Sequence, residues 1–466
     1  MHANPQNRTF EAELAVDVNP VFNRPGEATE FPRFRLPDEP SLPETAYQIV
    51  HDEAMLDGNA RMNLATFVGT WMDSHADRLY HDAADKNMVD KDEYPQTAAI
   101  ENRCWTILAD LWHAPDPTTT IGTSTIGSSE AAMLGGLALK RRWAERRKAD
   151  GKPTGTPNLV MSSAVQVCWE KFCNYFDVEA RYVPITEDHP ALDGHDLSSY
   201  VDENTIGVVA IMGVTYTGAY EPVTEIAAAL DAIARERGHD VPIHVDAASG
   251  GAIAPFLQPD LEWDFRVPRV ASINMSGHKY GLVYPGLGWV VWRDAAALPE
   301  SLIFRVSYLG GNMPTFALNF SRPGAQVLLQ YYQFLRLGFE GYRAVQQNSQ
   351  DVARYLSSEI GRMKQFKLLS DGSDIPVFAW QLTAGHTDKW NLYHLSSELR
   401  KHGWLVPAYP LPDNLSDQTV QRIVVRNGLS RDLATTLMRD IGECVDYLDN
   451  LDTPMPMPRQ TSGFHH

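Results

Sequence analysis

IGVVAIMGVT (residues 206–215), a helical pattern from Pro222 to Arg237, PIHVDAASG (242–250) and SINMSGHKYGLVYPGLGWVVW (272–292) follow one another through the middle of the chain. The same alternation starts earlier, with NLVMSS (158–163), a helix around VCWEKFCNYF (167–176) and EARYVPI (179–185). Continuous Val/Ile runs spaced by helices of about ten to fifteen residues predict an α/β fold, a mostly parallel sheet covered on both faces. In such sheets function collects where the strands end. Thr215, Asp246, Ala248 and Lys279 all fall at such ends.

Lys279 is the residue that most needs explaining. Enclosed by Val270, Ile273, Met275, Leu282 and Val283, its ammonium group is desolvated, which lowers its pKa and frees a nucleophilic amine of the kind that forms imines. A loop lysine pointing into water is the plain alternative. Asp246 closes an apolar strand, where a carboxylate is costly unless it meets a cation or a strong donor. Upstream, TTTIGTSTIGSSEAAMLGGLALKRRW (118–143) is a Gly/Ser/Thr-rich turn opening into a long helix. Unpaired backbone N–H groups and the positive end of the helix dipole meet there, so Ser128 and Ser129 are candidates for a phosphate cup. Simple N-capping by serine would produce the same letters. GxxxxGK[ST] is missing, which argues against a nucleotide triphosphate loop.

The flanks read differently. Residues 1 to about 46, including NPVFNRPGEATEFPRFRLPDEP (19–40), predict an irregular arm. Helical periodicity begins at Glu44, and Thr66, Phe67, Asn87 and Asp90 fall at its breaks, where turn formers are ordinary. After about residue 340 the pattern becomes GYRAVQQNSQDVARYLSSEIGRM (helix), PVFAWQL (strand), LYHLSSELRKHG (helix), QTVQRIVVR (strand) and DLATTLMRDIGECVDYLDNL (helix), a smaller α+β part. Arg422 shares a strand face with Val420 and Val424, and so predicts either a structural ion pair or an anion receptor.

Composition narrows the function classes. The 466 residues are 44% hydrophobic and carry 40 Lys and Arg against 59 Asp and Glu, a formal charge of −19 that repels nucleic acid and anionic lipid. A basic cluster at Arg141, Arg142, Arg146, Arg147 and Lys148 reads as a solvated helix end. With no apolar run near the ~20 residues of a membrane span and an acidic, apolar-poor start, a cytoplasmic protein is expected. The cysteines at 104, 168, 173 and 444 form no CxxC pair and predict reduced, structural thiols. No metal site is expected.

An imine-forming lysine, a carboxylate able to hold a proton on a pyridine nitrogen and a serine-bearing helix start together suit pyridoxal 5′-phosphate. In STIGSSEA, GVTYTG, HVDAASGG, SGHKYG, YLGG and NFSRP, from DGNARMNLATF to RIVVRNG, the sequence resembles the bacterial glutamate decarboxylases among the group II pyridoxal-phosphate decarboxylases. The resemblance implies a fold-type I enzyme: an N-terminal arm and helix (1–61), a large domain with a seven-stranded, mostly parallel sheet between helices (62–349) and a small C-terminal domain with a mobile tail (350–466). It implies Lys279 as the imine lysine, His278 and Ser276 near the cofactor phosphate with Ser128 and Ser129, Asp246 on the ring nitrogen, Gln166 over the ring, Thr215 near its hydroxyl and Ala248 beside it. Phe320 and Ser321 would reach a neighbouring subunit's site, making a homodimer the smallest active unit, with a hexamer left open. Thr66, Phe67, Asn87 and Asp90 would hold the distal carboxylate of L-glutamate and Arg422 its α-carboxylate. The implied reaction releases CO2 and 4-aminobutanoate and consumes a proton, which fits acid resistance.

His465, in the tail SGFHH, would close the site as pH rises. The arm lacks the family's best-known acidic helical start, and the carboxyl end lacks the calmodulin-type basic helix of the plant branch. Other amino-acid α-decarboxylases and aminotransferases share the cofactor parts, whereas a scaffold that only keeps the fold has no need of Lys279, Asp246 and Ser128/Ser129.

Overall fold

The computed structural model describes residues 32–69, 71–306 and 313–456. The chain divides into two compact units, residues 1–60 and 61–466. The first holds helix α1 (Pro43–Ala54), whose opening proline supplies a fixed φ suited to a first turn.

In the second unit, α2 (Ser74–Asp82) and α3 (Pro95–Leu111) precede β1 (Ile121–Thr125), α4 (Ser128–Ala149), β2 (Asn158–Ser162), α5 (Val167–Tyr175) and β3 (Glu179–Val183). Then come β4 (Thr205–Ile211), α6 (Val223–Arg237), β5 (Ile243–Asp246), α7 (Ala254–Leu257), β6 (Val270–Met275) and β7 (Gly288–Trp292). The seven strands lie in the order β1-β7-β6-β5-β4-β2-β3. Only β7 runs against its neighbours; β2–β3, β2–β4, β4–β5 and β5–β6 are parallel. The expected mostly parallel sheet is therefore present. Every residue of β2, β4, β6 and β7 is buried, which is why their sequences read as continuous apolar runs and not as alternations. Helix α4 lies close against the sheet because it presents Gly135 and Gly136: a Cβ there would come within 2.4 Å of the His244 ring and 2.6 Å of the Phe172 ring.

A two-stranded hairpin, β8 (Phe304–Val306) and β9 (Met313–Thr315), leads to the 37-residue helix α8 (Ala325–Gly361), kinked at Gly338 (φ 57°, ψ −170°). The sequence placed this helix only from Gly341. Its first half is hidden because Gln326, Gln330 and Gln333 are buried and interrupt the apolar period, and Gly338 then breaks it. Beyond it, β10 (Phe366–Leu368), β11 (Val377–Leu382), α9 (Leu392–Lys401), β12 (Ala408–Pro410), β13 (Thr419–Val424) and α10 (Arg431–Asp449) build a smaller antiparallel sheet, β10-β11-β13-β12, with its own apolar core. The three-residue strands β8, β9, β10 and β12 carry too few residues to show a period.

Candidate active site

A cavity of about 580 Å³ opens where β4, β5 and β6 end. Ser128, Ser129, Gln166, Thr215, Asp246, Ala248, His278 and Lys279 line it, so eight residues singled out in the sequence share one space. All four cysteines are buried free thiols. Among the described residues no cluster of His, Cys, Asp or Glu is arranged to hold a metal.

Lys279 is on the loop joining β6 to β7, a loop held from behind by helix α8. Gln326, Gln330 and Gln333, at spacings of four and three on one helix face, donate to the carbonyls of Pro285 (3.0 Å), Gly281 (3.0 Å) and Leu282 (3.0 Å). Gln346 adds a bond to Tyr280 O at 2.7 Å. Leu282 adopts a left-handed φ of 65°, which this clamp sustains. Burial lowers the Lys279 pKa, opposed by the nearby Asp246 carboxylate. Its Nζ lies 4.9 Å from the centre of the Phe67 ring, on which the Arg422 guanidinium also stacks at 5.0 Å.

Asp246 is 5% exposed and has a donor on each oxygen. Trp169 Nε1 donates to Oδ2 at 2.8 Å, while Asn274 Nδ2 (3.0 Å) and Ala248 N (3.2 Å) donate to Oδ1. These bonds answer the cost of burying a carboxylate. At the start of α4, Gly127 is the capping residue and makes no side-chain cap. Simple serine N-capping is therefore not what Ser128 and Ser129 do: they are the first two helical residues, and Ser276 Oγ donates to Ser128 Oγ at 2.7 Å from just behind the cavity wall. His278 Nδ1 accepts from Leu287 N at 3.3 Å, and burial, then the charge of Lys279, push its pKa down to about 4. Gln166 caps α5, accepting from Cys168 N at 2.6 Å.

The profile of the pyridoxal-dependent decarboxylase conserved domain matches residues 37–382. This chain belongs to that family. It is 50% identical to a glutamate decarboxylase of Aliivibrio fischeri over 96% of its own length and 97% of the relative's. It is 48% identical to one of Lactococcus lactis subsp. cremoris over 98% of both chains. A solved glutamate decarboxylase of Lactobacillus brevis superposes with a TM-score of 0.88 at 48% identity, covering 91% of this chain and 97% of that one. The pyridoxal-dependent decarboxylase cofactor is pyridoxal 5′-phosphate, and the cavity fits it. A buried amine of lowered pKa, a doubly donated carboxylate and an uncapped helix start with two hydroxyls answer its aldehyde, ring nitrogen and phosphate.

Other residues singled out in this decarboxylase lie outside the cavity lining. Ser276 is behind Ser128. Thr66 Oγ1 accepts from Val68 N, and Phe67 reaches Lys279 through its ring face. Among the described residues Arg422 has no ion-pair partner; it donates to Thr215 O and, at 2.6 Å, to Ala65 O, tying β13 to the loops on either side. Asn87 grips the segment carrying Phe320 and Ser321: its Nδ2 donates to Ser321 Oγ at 3.3 Å and its Oδ1 accepts from Arg322 N at 3.1 Å. Asp90 accepts from Glu93 N. His465 and the YLGG motif lie outside the described residues.

Sequence reading missed several lining residues. Glu130 accepts from Ile126 N, Leu318 N and Asn319 N and so fastens the segment before Phe320 to α4; its acidic place in the STIGSSEA turn was the available signal. Cys168, also in the wall, has its thiol pKa pushed up by burial and by Asp246.

Proposed function

We propose that the chain catalyses α-decarboxylation of L-glutamate to 4-aminobutanoate and CO2, taking up one proton per turnover. The observation that carries this is 50% identity to a glutamate decarboxylase over 96% of the chain, with Lys279 and Asp246 lining one cavity. Bound pyridoxal phosphate supplies a π system that accepts the electron pair left when the Cα–carboxylate bond breaks. Lys279 would hold its aldehyde carbon and Asp246 its ring nitrogen. Ser128, Ser129 and the first turn of α4 would hold its phosphate, with Ser276 and His278 at that end. Gln166 would cover the ring face, Thr215 would meet the ring hydroxyl and Ala248 would pack beside it. Lys279 lines the cavity and burial lowers its pKa, which favours release of its proton, so it is the group assigned to deliver a proton to Cα.

For the substrate, Thr66 and Phe67 are assigned to the distal carboxylate and Arg422 to the α-carboxylate, through the loops that its guanidinium ties together. Asn87 and Asp90 are assigned to the same distal carboxylate, in the site that Phe320 and Ser321 complete. Phe320 is 45% exposed, and neither it nor Ser321 lines the cavity of its own chain; this supports a dimer in which they complete a second copy's site. Among the described residues no helix is long and apolar enough to cross a membrane. Cytoplasmic placement and a part in acid resistance, through proton uptake, complete the proposal.

The test is incubation of the purified holoprotein with glutamate across acid pH, followed by product analysis. Stoichiometric 4-aminobutanoate and CO2 are expected. Transamination products, or turnover only with another amino acid, would overturn the assignment.

A further inference from the structure

The cavity wall conceals a polar grid inside the sheet. On β5, His244 and Asp246 point to one face; on β6, Ser272 and Asn274 do the same, and the strands are in register, His244 beside Ser272 and Asp246 beside Asn274. Positions inside a parallel sheet normally carry Val, Ile or Leu. Here four polar side chains are 0–5% exposed, and each is hydrogen-bonded to another.

The donors and acceptors can be assigned from one fixed point. The Asp246 carboxylate only accepts, so the Asn274 atom 3.0 Å from its Oδ1 is the amide nitrogen. The atom of Asn274 facing His244 Nε2 at 2.7 Å is then the carbonyl oxygen, and Nε2 must carry hydrogen. His244 Nδ1, 2.7 Å from Ser272 Oγ, accepts the serine proton. Burial favours this neutral ring by lowering the His244 pKa. The imidazole also packs edge to face on Trp169, centroids 5.1 Å apart, and Trp169 is the donor to the other Asp246 oxygen. His244 thus touches both side chains that hold the carboxylate while making no contact with the cavity. Room for it exists because α4 has glycine at 135, where a Cβ would lie 2.4 Å from its ring.

We propose that His244 is a positioning residue for the reaction: its Nε2–H tautomer, set by Ser272, fixes the Asn274 amide and the Trp169 indole so that Asp246 presents an immobile carboxylate to the cofactor ring. This rests on the proposed role of Asp246 toward the ring nitrogen. A partly satisfied buried network costs more than an apolar one, so one lost donor propagates to Asp246. The titratable groups facing Asp246 are Lys279, Cys168 on α5, His244 itself and Glu221, whose carboxylate accepts from Ile211 N at the end of β4. Any change in the pH behaviour of the site has to be compared with these four.

The test compares holoenzymes of wild type, His244→Leu, His244→Gln and Ser272→Ala. Leucine fills much of the space without a donor; glutamine can return an N–H near the Nε2 position. In His244→Leu, cofactor dissociation during dialysis should quicken and kcat fall by about 10-fold each, with KM for glutamate little changed. The pH midpoint of the cofactor's visible absorbance should also move, and His244→Gln should recover most of each change. If His244→Leu does not fold, Ser272→Ala decides, with cofactor release expected to quicken by about 3-fold. Dissociation rate, absorbance midpoint and kcat all at wild-type values in the folded variant would overturn the proposal. Because dissociation and absorbance need no turnover, they remain informative if wild type fails to decarboxylate glutamate, a failure that would count against the substrate reading alone.

Discussion

Trp169 Nε1 lies 2.8 Å from Asp246 Oδ2, and this indole is the only side chain among the described residues bonded to that oxygen. A fully buried aromatic on α5 thereby connects the helix layer to the carboxylate at the end of β5. In Trp169→Phe the aromatic packing on Phe172 and His244 largely survives, but the donor is lost. We expect stability to fall by about 1–3 kcal/mol and kcat by about 10-fold. Thermal melts and steady-state kinetics on the holoenzyme measure both; unchanged kcat would show that Asn274 and Ala248 suffice to hold Asp246.

Lys279→Ala should abolish turnover and leave the melting temperature of the cofactor-free protein unchanged or higher. Burying an ammonium is unfavourable, as its lowered pKa records, so its removal relieves a cost, and the surrounding loop stays clamped by Gln326, Gln330, Gln333 and Gln346. Wild type should be yellow and fixed by borohydride, the variant not. Sustained turnover by Lys279→Ala would remove Lys279 from the chemistry.

The parts of this site that the sequence displays are those built locally. β4 shows itself as TIGVVAI because both its faces are covered, and Ser128 and Ser129 because a glycine-rich turn opens a helix. What stays hidden depends on partners distant in the chain. Trp169 is fully buried, and its bond to Asp246 requires a side chain on α5 to reach the end of β5. Arg422 reads as one half of an ion pair or as an anion receptor, yet it donates to the carbonyls of Thr215 and Ala65, which leave no mark in a sequence. The glutamines of α8 precede the part of that helix which the sequence displays; only the fold turns them toward the Lys279 loop.

His278 supplies a pH dependence with a definite sign. In the cofactor-free protein its pKa is pushed down to about 4, against about 6.5 for an unfolded histidine. Between these values the unfolded chain binds a proton that the folded chain does not, so stability rises with pH through this window and is lost as pH falls toward 4. His278→Asn keeps an acceptor for Leu287 N but cannot titrate. Its stability curve should therefore be flatter than wild type between about pH 4 and 6.5, by a total of about 1–3 kcal/mol. Parallel curves for the two proteins, by denaturant melts at matched ionic strength, would mean the folded histidine titrates normally.

The grip of Asn87 on Ser321 (3.3 Å) and Arg322 N (3.1 Å) makes one unit of residues outside the lining of their own chain's cavity, and this gives the dimer proposal a sharp test. If that unit completes a second copy's cavity, Asn87→Ala/Ser321→Ala and Lys279→Ala damage opposite halves of a shared site. Each variant alone should be nearly inactive. When the two are unfolded together and refolded as a mixture, hybrid dimers carry one site with both defects and one with neither. Random pairing makes half of the dimers hybrid, so activity should return to about a quarter of wild type, because each hybrid has one good site of two. Activity no greater than the sum of the separate variants, with hybrids verified by differential tags, would place Asn87 and Ser321 in the service of their own chain.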